Sequence, residues 1–110
     1  MLLRAREAVL SRFRPLLASH DLSEQQWRVI RVLAEVESLE AREVSERTCI
    51  LAPSLSRILK TLEERRFVTR SVDQKDRRRI LLSITPKGVE LLAALTHEAS
   101  TGYAEFVERF

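Results

Sequence analysis

Cysteine is almost missing from this chain of 110 residues: Cys49 is the only one, so no intramolecular disulfide can form and a reducing cytoplasm is the expected setting. Long apolar runs are missing too. None approaches the roughly 20 residues that span a bilayer, and no N-terminal apolar run leads to a small-residue cleavage site. With only two glycines there is no Gly-rich loop to cradle phosphates. His20 and His97 have no Cys or Asp at ligand spacing, so neither a metal nor another cofactor is expected. No nucleophile and base stand in a recognisable arrangement, and no carboxylate pair is isolated by pattern, which argues against an enzyme.

What is present is enough apolar residue, 45%, for one core in one domain over residues 1–110. The net charge of +3 says little about partners, but its distribution says more. Between Arg57 and Arg79 there are nine basic residues against four acidic ones, a local +5, whereas the remaining 10 basic and 12 acidic residues leave −2. One segment carries all the positive excess.

Apolar residues at Leu2, Ala5, Val9, Phe13, Leu16 and Leu17 predict a first helix, with Pro15 loosening or kinking its last turn. Ser23 and Gln26 form a capping box and Leu22 and Trp27 a hydrophobic staple, predicting a helix from about Glu24 to Glu35. A short helix is expected over Ala41 to Thr48, then a turn from Cys49 to Ala52, then a helix with Pro53 at its first position. In that helix Leu55, Ile58, Leu59 and Leu62 make a buried stripe, and Ser54, Ser56, Arg57, Lys60, Thr61 and Glu64 the opposite face. Phe67 to Val72 and Arg79 to Thr85 read as two strands joined by the charged tip Asp73 to Arg78, with Val68, Val72, Ile80, Leu82 and Ile84 alternating with mostly polar neighbours. Thr85 then caps a helix with Pro86 at its first position. Gly102 is expected to break it, and Tyr103, Phe106, Val107 and Phe110 to begin another.

The fold class is therefore mainly α with a small β-hairpin wing, the element order of a winged helix-turn-helix. A helix fits the major groove of B-DNA, and short polar residues near its N-terminus can approach base edges and phosphates; Pro53, Ser54, Ser56, Arg57, Lys60 and Thr61 are so placed. At the hairpin tip Arg77 and Arg78 could enter a narrow minor groove. Each feature has a plainer reading, a solvated helix face and a solvated loop. The rival function is a winged-helix module that contacts protein, but such a face needs apolar anchors. RNA binding usually needs exposed aromatic rings, and this face has none.

The segments Ser54-x-Ser56-Arg57, Leu62-Glu63, Asp73-x-x-Asp76-Arg77-Arg78 and Leu82-x-Ile84-Thr85-x-x-Gly88 resemble those of the MarR family of bacterial regulators. Leu22 to Arg28 and Cys49 to Leu55 are similar to members that govern aromatic-acid catabolism. The resemblance implies a homodimer whose helices over 1–20 and 86–110 interlock, a DNA-binding lobe over 21–85, and a pseudo-palindromic double-stranded operator. It implies a repressor released by a small aromatic carboxylate. Ser54, Ser56 and Arg57 would face the major groove, Arg78 would enter the minor groove, and Asp76 would hold the wing arginines. Arg4, Phe13, Arg14 and Trp27 are the candidate effector residues, cations for a carboxylate beside apolar walls for a ring. Two departures stand out: Arg66 replaces the glycine usual before the first wing strand, and the final helix looks truncated at Phe110. Some members sense oxidants through cysteine, but Cys49, beside Ile50 and Leu51, reads first as a small buried hydrophobe.

Overall fold

The computed structural model describes residues 14–108, with side chains over 14–98. Its elements are α1 over 14–19, α2 (Glu24–Ala34), α3 (Ala41–Thr48), α4 (Ala52–Glu64), the strands β1 (Val68–Val72) and β2 (Ile80–Ile84), and α5 (Pro86–Glu108). Helix α2 is the hub, packing on α3, α4, α5 and β2. Its Val29, Ile30 and Leu33 are wholly buried because they fall on one stripe of the helix.

Helix boundaries follow local chemistry. The Ser23 N–H donates to Gln26 Oε1 at 2.9 Å and the Gln26 N–H to Ser23 Oγ at 3.1 Å, closing the capping box. The Gly88 N–H donates to Thr85 Oγ1 at 3.1 Å, so Thr85 caps α5 as expected. Pro53 occupies the second helical position rather than the first, Leu51 being the N-cap; its missing N–H is still one that the helix would leave unpaired. Helix α1 closes on left-handed Asp21, φ 54°, with the Leu22 N–H on the Leu17 carbonyl at 2.9 Å and the Asp21 N–H on that of Ala18 at 3.0 Å; the kink expected at Pro15 involves the turn before it, outside the described residues. One further expectation is corrected. Helix α5 runs straight through Gly102 to Glu108, since one glycine costs a helix interior only about 1 kcal/mol. The apolar surface expected to dimerise, Leu2, Leu3, Val9, Leu10, Tyr103, Phe106, Val107 and Phe110, lies outside the described side chains.

The strands pair antiparallel, Val68 opposite Ile84 and Val72 opposite Ile80. Leu39 adds an isolated bridge to Leu82, with N–H···O distances of 3.0 and 2.8 Å, fastening the hairpin to the loop after α2. The alternation buries only the inner end of the wing. Val68 and Leu82 are 3% and 1% exposed, whereas Val72 and Ile80 are 55% and 44% exposed, because the hairpin runs out past the helical layer that would cover them.

Arg66 is left-handed, with φ 66°. The Arg66 N–H donates to the Glu63 carbonyl and the Phe67 N–H to that of Leu62, each at 3.0 Å, which is the Schellman ending that usually takes glycine. A side chain there strains the backbone by about 1 kcal/mol or more. Arg66→Gly is therefore expected to raise stability by up to about 1 kcal/mol, part of the gain being offset by unfolded-chain entropy. Urea unfolding of the two proteins measures it, and a destabilised variant would refute the strain.

Candidate nucleic-acid interface

The turn from α3 to α4 sets the direction of the exposed helix. Thr48 Oγ1 donates to the Val44 carbonyl at 2.7 Å, Ser45 Oγ to that of Ile50 at 2.6 Å, and Arg28 Nη1 to that of Thr48 at 3.1 Å. The arginine thus places a cation at the negative end of α3. Cys49 sits in the turn in the left-handed conformation, φ 59°, and is exposed, correcting the expected buried hydrophobe: Ile50 takes the core position beside it.

Helix α4 then buries Leu55, Leu59 and Leu62. Ser54, Arg57, Ile58 and Thr61 line an open groove of about 280 Å³ together with Gln25 and Gln26 at the start of α2. The structure thus brings together Ser54, Arg57 and Thr61. It does not bring Ser56 into that groove, since two residues turn a helix by about 200°; Ser56, Pro53 and Lys60 are exposed elsewhere on α4. Gln25 and Gln26 were not foreseen as part of this face. Their capping box announced a helix start, but nothing local says what that start lies against.

The wing sorts its cations into two groups. Arg70 makes two hydrogen bonds to Glu63, 2.9 and 3.1 Å, and Arg79 bridges Glu40 and Asp73. These carboxylate contacts push both guanidinium pKa values above their ordinary range. The tip is shaped by two aspartates: Asp73 Oδ1 accepts the Lys75 N–H at 2.9 Å and Asp76 Oδ1 the Arg78 N–H at 3.1 Å. Asp76 reaches the Arg78 guanidinium only at 3.4 Å, and the Arg78 side chain is 94% exposed. A pair this open is worth little, on the order of 0–1 kcal/mol. Arg57, Lys60 and Arg77 have no ion-pair partner among the described residues. The inner wing arginines are structural struts, and the tip keeps its positive charge.

Of the candidate effector residues, Arg4 and Phe13 lie outside the described residues. Arg14 is exposed on α1, and Trp27 packs half-buried against the core with the Arg31 guanidinium 5.3 Å from its ring centroid. Arg31, one turn along α2, is a cation that sequence reasoning did not connect with the ring.

A three-helix lobe with a bare polar face on its third helix, followed by a hairpin with exposed arginines at its tip, defines a winged helix-turn-helix DNA-binding regulator. Residues 20–79 match the model of the MarR family. This chain belongs to the MarR family of transcription regulators, which are not enzymes. It is 38% identical over 109 residues to the homoprotocatechuate degradative operon repressor of Escherichia coli, covering 99% of this chain and 74% of that one. It is 39% identical over 102 residues to the regulator FarR of Neisseria gonorrhoeae, covering 93% and 70%. Among solved structures, NadR in complex with 4-hydroxyphenylacetate superposes with a TM-score of 0.81 at 38% identity, covering 97% of this chain and 76% of that one. These relatives bear out the DNA-binding reading over the protein-contact module. No helix among the described residues is long and apolar enough to cross a membrane.

Proposed function

We propose that this chain is a cytoplasmic, homodimeric repressor of an operon for degrading an aromatic acid of the 4-hydroxyphenylacetate or homoprotocatechuate type, and that such an acid releases it from DNA. The observation that carries this reading is the 38% identity to the homoprotocatechuate repressor along 99% of the chain. Each lobe presents Pro53, Ser54, Ser56, Arg57, Lys60 and Thr61 to the major groove and Arg77 and Arg78 to the minor groove, with Asp76 shaping the tip between them. Two lobes related by a two-fold axis read half-sites about 10 bp apart. The acid lies beside the first helix, its carboxylate on Arg4 or Arg14 and its ring against Phe13 and Trp27. Release follows if the bound dimer prefers a lobe spacing that no longer matches one turn of the duplex, which requires different affinities for the two states.

Calorimetric titration with 4-hydroxyphenylacetate and with homoprotocatechuate, together with electrophoretic shift of the upstream region of the neighbouring operon, tests both halves. The expected result is saturable heat with at least one acid, weaker for Arg14→Ala, and loss of the shifted band. No heat with either acid, from protein that still shifts DNA, would remove the effector assignment; binding unchanged in Arg14→Ala would move the carboxylate site elsewhere.

Arg78→Ala is expected to weaken DNA binding and to lower the slope of log affinity against log salt by about one, because one fewer phosphate is neutralised. Affinities measured across a salt series check it, and an unchanged slope with unchanged affinity would take the wing tip out of the interface.

A further inference from the structure

Leu51 is 77% exposed, the most exposed of the large apolar side chains among the described residues. It occupies the N-cap of α4, a position where serine, threonine, aspartate or asparagine would stabilise the helix and leucine does not. Its side chain therefore neither fills the core nor closes the helix end. It stands two and three residues before Pro53 and Ser54, at the end of α4 that a recognition helix turns toward the bases. One leucine is far too little surface for a protein partner, which needs a patch of roughly 800 Å². The major groove, in contrast, offers an apolar feature of matching size, the C5 methyl group of thymine. We infer that Leu51 is a specificity-determining residue that reads a thymine methyl at the N-terminal end of α4. The inference rests on the DNA-reading role of α4 and adds an apolar contact to its polar ones.

The test begins with the tightest duplex that the protein selects from a random-sequence pool, synthesised once with thymine and once with deoxyuridine at every thymine position. Wild type and Leu51→Ser are titrated on both. Wild type is expected to bind the thymine duplex at least about fourfold more tightly than the deoxyuridine duplex, the gain from burying one methyl group. In Leu51→Ser the ratio falls to about one, while its Tm is unchanged or higher because serine caps the helix. Comparing the ratios cancels any effect of deoxyuridine on the duplex itself. Equal binding of both duplexes by wild type overturns the inference, and so does the same ratio in both proteins, which would assign the methyl contact to another residue. If no duplex is selected at all, the DNA-reading role fails and this inference with it.

Discussion

Arg57→Ala is expected to weaken binding to the operator by about 1–3 kcal/mol, roughly 5- to 150-fold, and to change binding to random duplex much less. Arg57 lines the groove with Ser54 and Thr61 and has no ion-pair partner among the described residues, so none has to be broken before it meets a base. Its backbone carbonyl is occupied by Thr61 Oγ1 at 3.1 Å, but that bond lies along the helix and leaves the side chain available. A bidentate contact to guanine is the strongest base contact open to an arginine there, and it is lost whole with the side chain. Competition binding with operator and random duplexes at one salt concentration decides the matter. Equal losses on both would make Arg57 a phosphate contact, which positions the protein without reading sequence.

Gly88→Ala is expected to destabilise the fold, although alanine is the better helix former by about 1 kcal/mol. A Cβ at Gly88 would stand 2.6 Å from the Phe67 carbonyl oxygen and 2.7 Å from Ile84 Cγ1. Ile84 can rotate in part, but the Phe67 carbonyl accepts the Thr85 N–H at 3.0 Å and begins the strand that carries the wing. Moving it means moving β1 or the start of α5. Overpacking of this kind costs about 1–3 kcal/mol and occasionally more; with backbone as the nearer clash the cost falls in the upper part of that range, so it outweighs the propensity and a net loss of up to about 2 kcal/mol should appear in denaturant unfolding. A variant as stable as wild type would mean that α5 can shift from the wing without cost, and would remove the close contact as the reason for glycine at this site.

How much of this was legible in the sequence depends on the range of the interaction involved. The capping box at Ser23, the bounds of α3, the Thr85 cap and the stripe Leu55, Ile58, Leu59 and Leu62 were all visible, with Ile58 only partly buried at the edge of the stripe, because each depends on residues near one another in sequence. Expectations failed where a residue's neighbours come from far along the chain. Cys49 lies in an apolar stretch yet is exposed, since the left-handed turn gives the buried position to Ile50. The alternation in β2 puts Ile80 and Leu82 on one side of the strand, but only Leu82 is buried, because burial needs a covering layer and the wing leaves it behind. Gly102 looked like a break, but α5 continues past it to Glu108, since one glycine costs too little to end a helix.

The candidate interface divides in the same way. By itself the sequence determined that positive charge gathers between Arg57 and Arg79, that a polar helix face follows Pro53, and that a charged hairpin tip comes after it, because composition and periodicity are local properties. Only the tertiary structure decided which of those cations are spare. Arg79 is tied to Glu40, 39 residues away, Arg70 lies against Glu63, and Arg65 binds the His20 and Asp21 carbonyls at 2.9 and 2.6 Å, fastening the end of α4 to the end of α1. Ion pairs and hydrogen bonds act over a few ångströms in space whatever their separation along the chain, so a list of arginines cannot distinguish those that hold the lobe together from Arg57, Arg77 and Arg78, which the fold leaves facing outward.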